Sequence, residues 1–443
     1  MNRLTRKIIA FVFIAIFVIG APILIIYTAG YRYNYKKGSL EKSGALVIKT
    51  DPSRAEVFLN NKNINEKTPI RLNNVIPDDY NILLKKDGFY DWTKKLTVKS
   101  KETTFAEDVV LFKKSEAQKI IEQPVNWISF APNNDYAVFC VTEFEQDYLY
   151  LLNLKNQKTS LVYNNNQIFV NPEIIWALDN SNFLFKTDSQ LISFPAFLPS
   201  RYQDLSSLTP AENLSNIKWN PKNASEFFTL QNNSIIKINV NQNNYEKFFI
   251  PDKQIQIIDF LIKQEKIYII SKINSKVFLG QYELADKKLV KTLELNNENN
   301  YFSQNKTSLL FITDKQNSNF YIINPELDKI LFQKNNIQNT DLNENQNLLL
   351  QTNHELVILN FDNFQEKNIT RYSSGLSFAT WHKSPNYVFA LQDGKISIIE
   401  LDERDFHYII TLPYQNISQF NLDNKAKNLY FIQDDYLWYL EIQ

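Results

Sequence analysis

The sequence predicts an all-β protein preceded by one apolar helix. Three observations predict it. An unbroken apolar run, Ile8 to Ala29, stands near the N-terminus. The rest of the chain consists of short strand-like runs separated by asparagine-rich turns. From about Ser115 onward these runs recur with a fixed period of 39–49 residues.

The apolar run is 22 residues long and is read as residues 8–29 of a single transmembrane signal anchor. At 1.5 Å per residue such a helix crosses the ~30 Å hydrocarbon of a bilayer. Ile8, Phe11, Ile16, Pro22, Ile26 and Tyr27 mark its length. A membrane helix tolerates an internal proline. A cleaved signal peptide would have a shorter apolar region and a small-x-small site, which Tyr27-Thr28-Ala29 does not supply. Arg3, Arg6 and Lys7 precede the run, and Arg32, Lys36, Lys37 and Lys42 follow it, so flanking charge barely orients it. Tyr27, Tyr31, Tyr33 and Tyr35 are placed to form an interfacial belt. Residues 1–7 then read as a cytoplasmic tail and 30–43 as a linker.

Composition narrows the function. Lys+Arg and Asp+Glu both number 48, so the chain lacks the basic excess with which a nucleic-acid binder releases counterions, and no nucleic-acid partner is expected. The 8 glycines include no G-x-G-x-x-G and no G-x-x-x-x-G-K, so no phosphate-cradling loop and no nucleotide cofactor is expected. Asparagine takes the place of glycine in turns such as Asn133-Asn134, Asn164-Asn165-Asn166 and Asn335-Asn336, because it tolerates the left-handed region. One cysteine, Cys140, excludes an internal disulfide framework.

Residues 44–113 carry five strand-like runs at the spacing of a small β-sandwich: Ala45–Lys49, Ala55–Leu59, Asn81–Lys85, Lys95–Lys99 and Asp108–Leu111. An ordered set of residues accompanies them. Pro52-Ser53-Arg54-Ala55 leads into Val57-Phe58-Leu59 and the turn Asn60-Asn61-Lys62. Thr68-Pro69, Asp79-Tyr80, Asp87-Gly88-Phe89 and Trp92 follow in that order. In this set the segment resembles the PEGA domain, a small extracytoplasmic β-sandwich module, with Pro52, Ala55, Thr68, Pro69, Tyr80, Gly88 and Phe89 standing at its signature positions. The resemblance implies an envelope setting outside the cytoplasm, and so an N-terminus inside. Pro52 and Pro69 are expected to guard strand starts, where a missing N–H is harmless.

The repeat of residues 115–443 sets an aromatic or apolar residue before a polar turn. The copies are Trp127-Ile128-Ser129-Phe130-Ala131-Pro132-Asn133, Ile175-Trp176-Ala177-Leu178-Asp179-Asn180, Trp219-Asn220-Pro221, Ile258-Asp259-Phe260, Tyr301-Phe302-Ser303-Gln304-Asn305, Thr340-Asp341-Leu342-Asn343, Thr380-Trp381-His382-Lys383-Ser384-Pro385 and Phe420-Asn421-Leu422-Asp423. Trp127, Trp176, Trp219, Phe260, Phe302, Leu342, Trp381 and Phe420 are therefore read as blade-packing positions of a β-propeller, with eight blades expected and seven as the alternative. The best copies resemble the Trp-Ser-Pro-Asp-Gly turn of TolB-like propellers, without the glycine. The last run, Leu437–Glu441, lacks an outer partner after it, and Gln118–Ile121 is spare. Pairing the two would close the ring.

Little in the sequence points to chemistry. His354, His382 and His407 fall in different repeats at no metal-ligand spacing. Cys140 lies among large apolar residues, as a structural thiol would. Asp341-Leu342-Asn343-Glu344-Asn345 opens like a calcium loop, but Gln346 and Thr352 stand where the glycine and the bidentate glutamate belong. No catalytic, metal or cofactor-binding residue is assigned. The expectation is a non-enzymatic, membrane-anchored binding or scaffolding protein of a bacterial cell envelope, its propeller facing a protein or glycan partner. The alternative is a propeller glycosidase or lyase acting on polysaccharide, which would need carboxylates around a tryptophan at one propeller mouth.

Overall fold

The structure is a computed structural model describing residues 3–208, 211–296, 298–303, 305 and 307–443. Gln304 of the fifth repeat copy lies outside the described residues. The chain divides into two units: residues 1–115 with Ile399–Ile410 and Ile442–Gln443, and residues 116–398 with Thr411–Glu441.

The first unit opens with helix α1, Arg3–Thr28, whose stretch Leu4–Thr28 has a mean hydropathy of 3.1. Ile8, Phe11, Ile16, Pro22, Ile26 and Tyr27 are all exposed on it. By length and composition the helix can cross a membrane. The stretch read as a linker folds into a hairpin, Tyr31–Asn34 against Ser39–Lys42. Asn34 holds its turn, its Oδ1 accepting the N–H of Lys36 at 3.1 Å. The arginine at its start, Arg32, lies 3.7 Å from the centre of the Tyr27 ring.

Two sheets then form the sandwich. In one, Gly44–Asp51 is flanked by Ile70–Val75 and, in parallel, by Thr103–Val110. The other has the order Lys62–Lys67, Glu56–Leu59, Asp78–Lys85, Trp92–Val98. Leu46, Ile48, Val57, Ile82, Leu84, Trp92, Leu96 and Val98 from both sheets share one core. A Cβ on Gly44 would stand 2.4 Å from the Lys99 carbonyl oxygen, so only glycine fits where that strand begins. The two strands absent from the sequence reading, the polar Lys62–Lys67 and the half-polar Ile70–Val75, lie at sheet edges. Pro69 precedes a strand as expected, whereas Pro52 follows one, Gly44–Asp51.

Strand Trp92–Val98 alternates strictly, burying Trp92, Lys94, Leu96 and Val98. That alternation points a lysine into the core. A lone buried ammonium would cost several kcal/mol. The segment Ile399–Ile410 supplies its partners. Lys94 Nζ lies 2.5 Å from Glu400 Oε2 and donates to the Asp402 carbonyl oxygen at 2.8 Å. The Trp92 indole donates to Glu400 Oε1 at 2.9 Å. Tyr408 of the same segment donates its hydroxyl to the Asp91 carbonyl oxygen and packs on the sandwich core. This corrects the reading of 115–443 as a single uninterrupted propeller region. A core lysine recruits twelve residues from late in the chain.

Eight four-stranded antiparallel sheets follow among the described residues, and the strands Lys395–Glu400 and Ile409–Thr411 of the seventh run into the segment Ile399–Ile410 of the first unit. Seven run in sequential order, as the first does with Trp127–Phe130, Tyr136–Glu143, Gln146–Asn153 and Lys158–Asn164. The turns rely on asparagine as expected. Asn134, Asn166 and Asn336 have φ of 59°, 60° and 60°. Consecutive sheets share cores, such as Cys140 and Leu149 with Trp176 and Phe183. The eighth sheet packs on the first through Tyr430 and Leu437 against Phe139 and Val141. The expected closure is present. Gln118–Lys119 pairs with Tyr436–Glu441 as the outer strand of the sheet built from Ile417–Leu422, Asn428–Gln433 and Tyr436–Glu441. The Ile120 N–H extends the ladder, donating to the Leu437 carbonyl oxygen at 2.9 Å.

The buried ion pair of the sandwich unit makes a sharp prediction. Lys94→Met leaves Glu400 charged and buried, and is expected to cost about 3 kcal/mol or more. Lys94→Met combined with Glu400→Leu should recover most of that loss. Chemical denaturation of the full chain, followed by tryptophan fluorescence, reads both. A loss below about 1 kcal/mol for the single variant would contradict the account.

Candidate functional site

The first strands of the eight sheets, and the turns that follow them, position the candidate site. They carry the predicted blade-packing residues. Trp176, Trp219, Phe260, Phe302, Trp381 and Phe420 are buried, and Leu342 and Trp127 are partly buried against neighbouring cores. Three tryptophans do more than fill space. The Trp219 indole donates to the Ile175 carbonyl oxygen at 2.9 Å, and the Trp381 indole donates to that of Asp341 at 3.0 Å. The Trp176 indole reaches the Ser129 hydroxyl at 3.3 Å. Each acceptor lies on the first strand of the preceding sheet, so each indole ties one sheet to the last while its ring is buried.

Trp127 does not share this role. Phe130, not Trp127, stands opposite Ala137, where Trp176 stands opposite Phe183 in the next sheet. Trp127 pairs with Cys140 at the other end of its strand. Phe420 is likewise offset, since Leu422 occupies the end of its strand opposite Leu429. The W-x-x-F spacing of the first copy offers two aromatic residues, and the sequence alone does not say which one faces the neighbouring sheet.

The residues weighed for chemistry have structural roles. Burial pushes the Cys140 thiol up, and Asp147 adds to the shift, so the neutral thiol is favoured. His382 accepts the Ser384 N–H on Nδ1 at 3.0 Å, and its Nε2 lies 3.2 Å from the Ala426 carbonyl oxygen, so the ring bridges the seventh and eighth sheets. His407 Nδ1 is 2.8 Å from the Glu400 carbonyl oxygen in the first unit. Asn343 Oδ1 caps its turn by accepting the N–H groups of Asn345 and Asn347 at 3.0 and 2.9 Å. Among the described residues no group of three His, Cys, Asp or Glu side chains could hold a metal ion.

Several cavities open among the turns, and two of them gather charged side chains beside a tryptophan. One, about 360 Å³, is lined by the first, sixth, seventh and eighth sheets and includes Asp341, Glu344, Trp381 and Asp423. Its carboxylates are already engaged. Asp341 Oδ2 accepts the Thr380 hydroxyl at 2.6 Å and the Trp381 N–H at 2.8 Å. Asp423 accepts the Lys427 N–H at 2.8 Å and the Asn428 amide at 2.7 Å, and Glu344 pairs with Lys383.

Another cavity, about 430 Å³, lies among the second to fifth sheets. Trp219, Phe228 and Phe260 form apolar wall, and its charged lining residues are Lys218, Lys222 and Lys263. Lys218 is deeply placed and contacts both Asp259 carboxylate oxygens at 2.8 Å, with Phe260 O at 2.5 Å. Burial lowers its pKa, against the lift from Asp259. Asp259 also accepts the Phe302 N–H at 2.8 Å and so joins the third, fourth and fifth sheets. The sequence marked Phe260 and Phe302 but gave no sign of this ion pair, whose members are 41 residues apart.

Comparison with known proteins bears on both units. Residues 43–114 match the PEGA domain. The match covers the sandwich read from Pro52 to Phe89 and includes both strands flanking Gly44–Asp51. Among solved structures, the Dos1 propeller is similar over 74% of this chain and 95% of its own, with a TM-score of 0.50 and 9% identity. The WD40 domain of SCAP from fission yeast aligns over 74% of this chain and 98% of its own, at TM-score 0.45 and 13% identity. At such identities the likeness to the Dos1 propeller establishes a β-propeller fold alone. No curated protein matches the chain.

The two cavity lysines should respond differently to substitution. Lys218→Met strands the buried Asp259 carboxylate and is expected to cost about 3 kcal/mol. Lys263→Met removes a cation held only by neutral oxygens and should cost no more than about 1 kcal/mol. Denaturant midpoints of the two variants against the parent chain check the order. Equal losses would contradict it.

Proposed function

We propose that the protein is a single-pass scaffold or binding protein of a bacterial cell envelope, with its N-terminus inside and its bulk outside the cytoplasm. The observation that carries this reading is the junction of an exposed apolar helix to a PEGA module, in a chain whose larger unit is a propeller. An apolar helix with exposed side chains needs lipid as its solvent. Propeller turns present many short loops at one end of the first strands, a suitable surface for a protein or glycan partner. The Asn-Pro and Ser-Pro turns resemble those of TolB-like propellers, which agrees with an envelope setting. The role is binding and not turnover.

A polysaccharide-acting enzyme is the competing reading, and one observation favours it: three carboxylates share a cavity with Trp381. General acid–base work needs at least one carboxylate free to exchange a proton with substrate. Asp341 and Asp423 instead hold turn donors, and Glu344 holds Lys383.

Topology is the test. Protease added to intact cells, with any outer membrane permeabilised, is expected to degrade the chain beyond Lys37 while a cytosolic control survives. Full protection of the chain would overturn the extracytoplasmic placement.

A further inference from the structure

We propose that the cavity among the second to fifth sheets binds a monocarboxylate carried on an apolar, preferably aromatic, body, with the carboxylate on Lys263 Nζ and the body against Trp219, Phe228 and Phe260. This deepens the reading of the propeller as a binding module and rests on it.

Charge accounting within the cavity carries the argument. All three charged residues that line it are lysines. Two of them have carboxylate partners outside the lining. Lys218 holds Asp259 in a two-oxygen contact, and Lys222 pairs with Glu265. Among the described residues Lys263 has only neutral acceptors, Asn305 Oδ1 at 3.0 Å and the Leu309 carbonyl oxygen at 2.9 Å. Asn305 Oδ1 is already shared, accepting the Thr307 N–H at 3.0 Å and its hydroxyl at 2.7 Å. An ammonium has three N–H donors, so these contacts leave Lys263 one donor and one uncompensated positive charge. Burial without a carboxylate brings its pKa down to about 8, the mark of a cation lacking its counterion.

The remaining lining selects the body of the ligand. Trp219 and Phe260 are buried walls, and Leu178, Leu261 and Ile262 extend the apolar surface. A volume of 430 Å³ holds on the order of fourteen water-sized groups, enough for a phenyl ring, a short spacer and a carboxylate. An inorganic anion would leave most of that apolar wall wet. A dianion would find one unpaired lysine, because Lys218 and Lys222 are committed to Asp259 and Glu265. Among the described residues, the charged groups at the cavity besides Lys263 are Lys218 with Asp259 and Lys222 with Glu265, and Lys315 acts on Lys218 from the fifth sheet. The same chemistry is presented by a free aromatic acid and by the C-terminal residue of a peptide.

Calorimetric titration of the full chain in detergent tests the proposal with three probes: 3-phenylpropionate, N-acetylphenylalanine and N-acetylphenylalanine amide. At least one of the two acids is expected to bind, and the neutral amide to bind at least about tenfold more weakly, the worth of one charge-assisted hydrogen bond. Binding of 3-phenylpropionate points to a free acid. Binding of N-acetylphenylalanine alone points to a chain terminus. With a lysine titrating at about 8, affinity should fall about tenfold between pH 7 and pH 9, a range over which an ordinary lysine would scarcely change. Lys263→Met should lose the acid by a similar factor while its melting profile stays near that of the parent. Equal binding of acid and amide, affinity flat between pH 7 and 9, or no binding of either acid would each overturn the proposal. A null titration would leave membrane topology, and hence the envelope reading, untouched.

Discussion

A ring of repeated sheets depends on one junction above all others, where its last sheet meets its first. Here the leading residues complete the last sheet through two residue pairs, Gln118 with Tyr439 and Lys119 with Trp438, extended by the Ile120 amide, beside the packing of that sheet on the first. Without this junction the strand Tyr436–Glu441 would expose a row of unpaired N–H and C=O groups, and Tyr430 and Leu437 would lose the apolar neighbours around Phe139. The Lys119 ammonium, 3.8 Å from the centre of the Tyr436 ring, adds a local clasp. Other sheet-to-sheet contacts join consecutive repeats, save those of the eighth sheet with the first, where Tyr430 also donates its hydroxyl to the Leu154 carbonyl oxygen at 2.5 Å. The pairing of Gln118 and Lys119 joins segments more than 300 residues apart and helps to convert an array into a ring.

Elsewhere the same problem, holding sheet to sheet, is solved by buried polar atoms with defined partners. The indoles of Trp176, Trp219 and Trp381 reach back to the preceding sheet. Asp259 gathers donors from the third and fifth sheets. In the first unit Lys94 does this for the sandwich, with Glu400 and Asp402. Burial would raise the Asp402 pKa, but Arg404 and Lys94 hold it below its usual value, so this contribution is present at neutral pH and is lost as pH falls through the carboxylate range. Such contacts choose one register among many apolar alternatives, a service that the interchangeable Ile, Leu and Phe of the strands cannot perform.

Most of the architecture was legible in the sequence because it rests on local signals. The apolar length of α1, the ordered residues from Pro52 to Trp92, and the repeat of strand and turn each lie within a short window. The spare segment at Gln118 was legible through accounting, since the final repeat lacked an outer strand. What was not legible depends on distant residues. Lys94 sits on the inward side of an alternating strand, but nothing near it names Glu400 as its partner. Trp127 and Phe130 compete for one register position, and only the pairing with Ala137 decides between them. Lys263 reads as one more surface lysine until four sheets surround it, and only in three dimensions are its acceptors among the described residues seen to be the neutral oxygens of Asn305 and Leu309.

The central claim is that the propeller is held closed by its own two ends, and amide hydrogen exchange tests it most directly. In the native full-length chain the Ile120 amide donates to Leu437 and lies beside the core of the first and eighth sheets. It is expected to exchange as slowly as ladder amides of the same sheet, such as those of Tyr430 and Phe431, and to lose protection together with them in rising denaturant. Exchange of the Ile120 amide at the rate of an exposed turn, while Phe431 stays protected, would contradict closure and leave residues 116–121 as a tether.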